Sequence, residues 1–258
     1  MAITLKSRRE IELMRTAGTV VAGVLSKLQD VAGPGVTTAE LNDIASEMTA
    51  EASAQPLFTG VKSPYTRRPF PGAICASLNE QVVHGIPSQA VVLAEGDVVS
   101  IDFGIRLKGY CADAAVTFGI GAVSDEKHRL MDATREALTI AEAHCGPGVK
   151  WSHVAGLMQS YVESAGFSVV KDFVGHGIGA KMHEGPRLPN FVSDELLAND
   201  IELTEGMVIA VEPMINAGGS GVRTLKDGWT VVTGDGRCSA HFEHTIAVVK
   251  DGCEVLTA

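Results

Sequence analysis

The 258-residue chain is 45% hydrophobic and 20% charged, and its formal net charge is −10. These values exclude a disordered chain, and the sequence lacks the run of about 18 apolar residues that a membrane-spanning helix requires. The acidic balance argues against a nucleic acid partner. The five cysteines are scattered and form no CxxC pair, which argues against a disulfide framework or a structural zinc site and predicts a reducing cytoplasm.

Two helices are predicted near the start of the chain. Ser7 and Glu10 form a capping box, and apolar residues recur at helical spacing from there to Leu28. A Gly-Pro-Gly sequence ends this helix, and Thr37 with Glu40 provides the capping box of the next one. The proline-rich stretch that follows, residues 54–72, is predicted to be an irregular loop.

The stretch Glu95–Phe118 predicts a β-hairpin around which the site is organised. Apolar and polar residues alternate along the first strand until a Lys-Gly pair breaks the pattern and a second strand begins. If the connecting loop has an even number of residues, Asp102 lies opposite Ala115 and Asp113 lies opposite Gly104. Both carboxylates then share one face of the hairpin. An odd loop would place them on opposite faces, as unrelated aspartates on a solvated sheet.

The order of motifs in the first half recurs in the second half. Each half contains a helix, the sequence Gly-Pro-Gly-Val, a second helix, a His-Gly-Ile motif and two strands that each carry a carboxylate. In the second half, Ser124 is predicted to cap a helix that ends near His144. A strand is predicted around Ala240–Val249, where Glu243 takes the place that Asp113 has in the first half. Four echoes in the same order predict an internal duplication within a single domain, 1–258, with halves of roughly 1–122 and 123–258. Duplicated units usually pack about a pseudo-twofold axis, so we predict an α+β fold in which two antiparallel sheets merge and helices cover one side.

The duplication superposes residues with metal-binding side chains. It pairs Asp102 with Glu212, Asp113 with Glu243, and His84 with His176. Four acids near one axis cannot remain ionised together without cations. Carboxylates with histidine suit Mn, Fe, Co or Zn, and bridging carboxylates favour two ions about 3.5–4 Å apart, which generate a hydroxide nucleophile near neutral pH. The alternative is that each half keeps its own buried acids, satisfied by backbone donors.

Two further histidines lie close to these residues in the sequence. His183 follows His176 by seven residues but has no counterpart in the first half, which suggests a role toward a substrate and not as a metal ligand. His241 is predicted to share a strand face with Glu243, where it can support the ligands.

Several motifs along the chain are characteristic of one enzyme family. They are NEQVVHGIP, DVVSIDFG, YCADAAVTF, GHGIG with HEGP, VIAVEPM, and DGWTVVT followed by SAHFEHTI. With these motifs the chain closely resembles the methionine aminopeptidases of type I, from the first helix to the last strand. The resemblance implies the pita-bread fold and a cytoplasmic metallopeptidase. This enzyme would remove the initiator methionine from nascent proteins when the second residue is small.

The resemblance also implies roles for individual residues. The dinuclear metal ligands, matched by position, are Asp102, Asp113, His176, Glu212 and Glu243. Of these, Asp113 and Glu243 are expected to bridge two divalent ions, which can be Fe, Mn, Co, Zn or Ni. The residues expected to take part in catalysis are His84, His183 and Glu212, with His84 at the scissile amide nitrogen and His183 at the developing oxyanion. Asn79 and Ser239 match positions that hold a monovalent cation in some members.

The methionine pocket departs from the family pattern at two positions. Phe70, Cys75 and Trp229 match it, but Met182 stands where an aromatic residue is usual. Arg67 occupies an expected aromatic position in the irregular loop. The resemblance therefore defines metal binding better than side-chain specificity.

The expected partner is the N-terminal methionine of a nascent peptide, which implies proximity to the ribosome, and a monomer without membrane or direct nucleic acid binding is expected. Only 28 residues separate His183 from Glu212, too few for the helical insertion of type II enzymes.

One alternative function is that of a proline-specific peptidase of the same fold, although those normally carry a large N-terminal domain. The other is a non-catalytic pita-bread binding protein, although such proteins typically lose ligands.

Overall fold

The computed structural model describes residues 3–258. Its helices are α1 (Arg8–Val31), α2 (Thr38–Glu51), α3 (Asp125–His144), α4 (Trp151–Ser164) and α5 (Asp194–Ala198). Its strands are β1 (Gln55–Pro56), β2 (Ile74–Leu78), β3 (Gln81–Val83), β4 (Val98–Leu107), β5 (Tyr110–Gly119), β6 (Ser168–Val169), β7 (Gly175–Gly177), β8 (Glu184–Leu188), β9 (Val208–Val211), β10 (Met214–Asn216), β11 (Val222–Thr224), β12 (Val231–Thr233), β13 (Ser239–His241), β14 (His244–Val249) and β15 (Gly252–Val255).

The helices begin where the predicted caps place them. The Ser7 side chain accepts a hydrogen bond from the Glu10 amide, and the Glu10 side chain accepts one from the Ser7 amide. Thr37 and Glu40 form the same capping box at the start of α2, and Ser124 caps α3. Each cap satisfies backbone donors that the first helical turn leaves without partners, so the starts of these helices are fixed by local sequence.

The hairpin of β4 and β5 has the predicted register. Its turn at 108–109 has two residues with φ values of 51° and 89°, which are typical of a type I′ turn. The loop is therefore even, and it pairs Asp102 with Ala115 and Gly104 with Asp113. Both aspartates lie on one face of the hairpin as a result.

Four groups of strands make up the β-structure. One edge of β4 pairs with β5, and the other edge pairs with β1 and β2. A five-stranded sheet has the order β15-β14-β9-β7-β8, and two three-stranded sheets have the orders β13-β10-β6 and β11-β12-β3. A bridge between Ala115 and Glu243, with hydrogen bonds in both directions, connects the β4–β5 hairpin to the second half.

The helices cover the face of the sheets that points away from the two aspartates. Ile101, Phe103 and Ile105 alternate with Asp102 along β4 and pack in one core with α1 and α2. A second core packs α3 and α4 against β9 and β14. Across residues 3–258, each helix is too short or too polar to cross a lipid bilayer.

The predicted strand over Ala240–Val249 is interrupted. β13 ends at His241 and β14 begins at His244, so Glu243 lies in the gap between them. The backbone of Glu243 pairs with Ala115 instead of continuing a regular strand. This bend directs the Glu243 side chain toward the aspartates of the hairpin.

The internal duplication stays a prediction, although one repeated feature has the same backbone in both halves. The second glycine of each Gly-Pro-Gly-Val turn is left-handed, with φ values of 94° at Gly35 and 82° at Gly148. A side chain with a Cβ rarely adopts this conformation, which accounts for glycine at both positions.

Candidate metal centre and active site

A cavity of about 440 Å³ lies between the two halves of the chain. Carboxylates and imidazoles line one end of it, and apolar side chains line the other. Residues from both sequence halves contribute to each end, so the folded chain, and not one local motif, creates the site.

The first half contributes two carboxylates on one face of the hairpin. Asp113 is 4% exposed, and its Oδ1 has no hydrogen-bond partner among residues 3–258; the same is true of Asp102 Oδ1. A Cβ built on Gly104 would lie 2.7 Å from Asp113 Oδ1, so the glycine leaves room for the carboxylate. Buried carboxylate oxygens without partners are costly, and a bound cation would satisfy them.

The second half contributes one imidazole and two carboxylates. His176 lies on β7, Glu212 directly follows β9, and Glu243 lies between β13 and β14. His176 Nδ1 is 3.0 Å from Gly177 O. Because a carbonyl oxygen only accepts, Nδ1 carries the proton and Nε2 keeps its lone pair. This Nε2 lies 3.5 Å from Glu212 Oε1.

The two sets meet across the Ala115–Glu243 bridge. The Asp113 amide donates to Thr245 Oγ1 at 3.0 Å, and the Thr245 hydroxyl donates to Asp113 O at 2.8 Å, which fixes β5 against β14. As a result Asp113, His176 and Glu243 offer ligand atoms that lie within 4.8 Å of one another, and this group can hold a metal ion.

The electrostatics of the cluster favour a cation. Burial, with repulsion from neighbouring acids, raises the pKa of Asp102, Glu212 and Glu243 well above the usual range. Burial raises the pKa of Asp113 to about 7. These shifts arise because the charged forms lose hydration and repel one another. A divalent ion removes both penalties, so the donor set fits a hard or borderline metal ion.

The histidines around the cluster are neutral at physiological pH. Burial, assisted by the nearby His183, lowers the pKa of His84 and of His176 to about 4. Partial burial also lowers the pKa of His183, although its side chain is at the open side of the cavity. The rings of His176 and His183 meet edge to face with centroids 4.4 Å apart. The fold therefore brings the two histidines into contact although six residues separate them in the sequence.

His84 has an unusual backbone conformation. Its φ is 60°, in the left-handed region, between β3 and Gly85. The ring lies edge to face with Phe173, with centroids 5.5 Å apart, and with Trp229 at 6.4 Å. This conformation costs about 1–3 kcal/mol, so the surrounding structure must hold His84 in it.

The predicted methionine pocket residues come together at the apolar end of the cavity. Phe70 and Cys75 are buried in one cluster with Phe58, and Met182 and Trp229 pack against it. The rings of Phe70 and Trp229 meet edge to face at 5.1 Å, and Trp229 Nε1 donates to Arg68 O at 3.0 Å. Arg67 is exposed on the loop and does not line the cavity.

The two residues predicted for a monovalent cation lie outside the cavity but touch each other. The Ser239 amide donates to Asn79 O at 2.8 Å. The Asn79 side-chain oxygen accepts from Lys127 Nζ at 2.9 Å. An ammonium group thus already neighbours this position.

Some residues of the site could not be identified from their motifs. Phe58, Phe173, Glu184 and Arg187 line the cavity, although none of them was predicted as a site residue. His241, predicted to support Glu243, is fully buried on β13, and neither ring nitrogen has a hydrogen-bond partner among the residues described. Phe173 lies only three residues before His176, and this proximity was the one available signal for it.

Comparison with known proteins decides the family. The model of metallopeptidase family M24 matches residues 12–250. The chain belongs to this family. A methionine aminopeptidase of Clostridium perfringens is 44% identical to it over 255 residues, covering 99% of this chain and 98% of the relative.

Solved structures of the M24 family agree with this assignment. The crystal structure of a methionine aminopeptidase from Thermotoga maritima matches with a TM-score of 0.93 at 39% identity and covers 99% of each chain. The prolidase of Pyrococcus horikoshii matches with a TM-score of 0.74 at 19% identity, covering 98% of this chain and 63% of that one. At such low identity this likeness shows the fold alone.

Three predictions from the sequence are thereby confirmed. The chain has the pita-bread fold, it is a metallopeptidase that uses divalent metal, and its relatives are the methionine aminopeptidases. The carboxylate and histidine cluster provides a candidate site for that metal.

Proposed function

We propose that this M24 metallopeptidase removes the N-terminal methionine from peptides and nascent proteins whose second residue is small. The observation that supports this function is the continuity of the apolar pocket with the carboxylate cluster in one cavity. A methionine side chain can occupy the end formed by Phe70, Cys75 and Trp229 while its peptide bond reaches the metal ligands. Burial of that side chain contributes about 1.5–3 kcal/mol to binding.

The metal would be held by five residues, and two ions would share them. The proposed ligands are Asp102, Asp113, His176, Glu212 and Glu243, with Asp113 and Glu243 as bridges because they project from the two halves toward the same point. When bound, such ions lower the pKa of water and polarise a carbonyl group. The carboxylate and imidazole donors favour a hard or borderline divalent metal but do not select one such metal over another.

The neutral histidines complete the proposed site. His84, lodged between Phe173 and Trp229, is proposed to contact the scissile amide nitrogen. His183, whose ring contacts that of His176, is proposed to donate to the carbonyl oxygen as negative charge develops there. Glu212, beside His176 Nε2, is proposed to accept a proton in addition to binding metal.

Further elements of the proposal concern the setting of the enzyme. All five cysteines are free thiols, which supports a cytoplasmic location. The nascent chain as substrate implies action near the ribosome, and we propose a monomer. A monovalent cation at Asn79 and Ser239 would have to coexist with the Lys127 ammonium.

The test is peptide hydrolysis after reconstitution with defined metals. Metal-free protein receives Mn, Fe, Co, Zn or Ni in turn, and cleavage of Met-Ala-Ser is compared with cleavage of an X-Pro dipeptide. Release of methionine with a metal-dependent rate is the expected result. Preferential cleavage of the X-Pro bond would indicate the proline-specific alternative, and absence of hydrolysis with every metal would indicate a non-catalytic binding protein.

A further inference from the structure

A buried ion pair connects the start of the chain to the loop that carries His183. Lys6 Nζ lies 2.7 Å from Glu184 Oε2 and donates a second hydrogen bond to Thr4 O at 2.9 Å. The Lys6 side chain is 3% exposed and the Glu184 side chain 14%. Within residues 3–258, the other Lys and Arg ion pairs have side chains at least 31% exposed. Exposed ion pairs contribute little to stability, whereas loss of one partner of a buried pair leaves an uncompensated charge and is costly. The buried pair therefore holds the two segments that carry Lys6 and Glu184 together.

The N-terminal segment, residues 3–6, is anchored on both sides of this pair. Ile3 forms a parallel bridge with Gly185. The Lys6 amide donates to Gly206 O at 2.6 Å, just before β9. The segment therefore lies along the outside of the 179–185 loop, and Lys6 is the side chain that enters it.

The Glu184 carboxylate holds this loop from within. Its Oε1 accepts from the Lys181 amide at 3.1 Å while Oε2 binds Lys6. A Cβ on Gly179 would come within 2.5 Å of Lys6 Cε and 2.8 Å of Glu184 Oε1, so glycine leaves the space that the pair fills. One carboxylate thus ties the turn to the N-terminal segment.

The turn presents two site residues in succession. Met182 packs against the apolar cluster of Phe70 and Cys75. His183 follows and meets the ring of His176 at 4.4 Å. His183 immediately precedes Glu184, so a shift of the carboxylate moves the backbone that aims the imidazole.

We propose that Lys6 and Glu184 are positioning residues that fix the loop of His183 against the metal centre. The inference rests on the proposed aminopeptidase function, because it concerns the same reaction. Neither residue needs to touch the substrate. Their effect is transmitted through the placement of His183, where a displacement of about 1 Å can lower a rate up to 100-fold.

The first test replaces Lys6 without changing its bulk. Lys6→Met is expected to lower kcat for Met-Ala-Ser about tenfold, to leave KM within about threefold, and to leave metal content unchanged. Lys6→Arg keeps the charge and is expected to recover most of kcat. The matched control is Glu254→Gln, which breaks the ion pair of Arg15 on α1 and should leave kcat unchanged.

The deciding test combines Lys6→Met with His183→Ala. If Lys6 acts through His183, then Lys6→Met changes kcat less than about twofold when His183 is already absent. An equal factor in both backgrounds would overturn the proposal, since it would indicate general damage to the fold. Because Lys6→Met leaves a buried carboxylate unpaired, Lys6→Met/Glu184→Gln serves if the single variant does not fold.

The Lys6→Met/Glu184→Gln variant also gives an independent outcome. Its thermal stability is expected to be normal, because both buried charges are gone. Its kcat is expected to stay low, because the ion pair between the N-terminal segment and the loop of His183 is broken. Wild-type kcat in this variant would overturn the proposal and leave the pair a role in charge balance alone, with the proposed function intact. A wild-type protein that does not cleave Met-Ala-Ser would reject the proposed function and this inference with it.

Discussion

Filling the metal centre should release protons from the buried carboxyls. In the metal-free protein Asp113 has a pKa of about 7, and burial raises the pKa values of Asp102, Glu212 and Glu243 well above their usual range. A metal ion binds the deprotonated carboxylates, so each ligand that carries a proton must lose it. Addition of Mn²⁺ to the metal-free protein at pH 6.0 is the perturbation.

The number of protons follows from these pKa values. At pH 6.0, one unit below its pKa, Asp113 is about nine-tenths protonated, and at pH 8.0 about one-tenth. Because burial and repulsion also raise the pKa values of the other three carboxyls, we expect protons to be released at pH 6.0 in addition to the one from Asp113. His176, with a pKa of about 4, is already neutral and releases none. For each proton released, the affinity for the metal should rise about tenfold, or about 1.4 kcal/mol, for each unit by which the pH is raised.

The same shifts determine how pH acts on the metal-free fold. A carboxyl with a raised pKa stabilises the folded state fully below its unfolded pKa, and this contribution is lost as the pH rises through the folded value. For Asp113, this loss of stability occurs between pH 3.8 and about pH 7. Bound metal compensates the charge, so the stabilisation by metal should grow with pH over this range.

Calorimetry in pairs of buffers measures the released protons directly. The heat of Mn²⁺ binding is recorded at one pH in two buffers with different ionisation enthalpies, and the difference gives the proton count. Asp235→Asn is a control, because the pKa of this exposed aspartate is lowered by backbone hydrogen bonds and it is already ionised. A count near zero at pH 6.0 would refute the reasoning, since it would mean that the buried acids are ionised before the metal arrives.

Three further results are expected from variants and substrates. Asp113→Asn and Glu243→Gln should each abolish turnover and lower occupancy of both metal positions, measured by metal analysis; near-normal turnover with two bound ions would contradict bridging. His183→Ala should lower kcat about 100-fold, equivalent to about 3 kcal/mol, with metal content unchanged, whereas loss of metal would make His183 a ligand. In an X-Ala-Ser series, kcat/KM should be highest for methionine, with norleucine accepted beside the flexible Met182 and leucine cleaved weakly; a preference for leucine or alanine would refute the methionine pocket. Methionine peptides with alanine, glycine or serine second should be cleaved well, and those with lysine or leucine poorly.

The hairpin shows how much of the site local sequence determines. Its period of two predicted that Asp102 and Asp113 share a face if the connecting loop is even, and the two-residue turn and the register of the structure show that it is even. The information is local, because the turn alone fixes which residues are opposite each other. The capped helix starts were predictable for the same reason.

Other features depend on contacts between distant segments. Glu243 was expected within a continuous strand, but its backbone pairs with Ala115, which is far away in the sequence. The left-handed backbone of His84 could not be predicted from the residue type, since histidine adopts positive φ more often than most residues but still only in a small minority of cases. Lys6 and Glu184 are 178 residues apart, and the HEGP motif that contains Glu184 does not identify Lys6 as its partner. Spacing along the chain cannot encode such pairs.

The division between these two kinds of feature has a physical reason. A cluster of buried acids opposes folding, because each charge must be neutralised by a proton or by a cation. The capped helices and their two apolar cores do not involve the cluster, so they can hold its residues in place whether or not metal is bound. The parts that a local pattern predicts are therefore those that provide stability. The strained backbone at His84 and the carboxylate oxygens without hydrogen-bond partners lie on that framework, which provides the stability that offsets their cost.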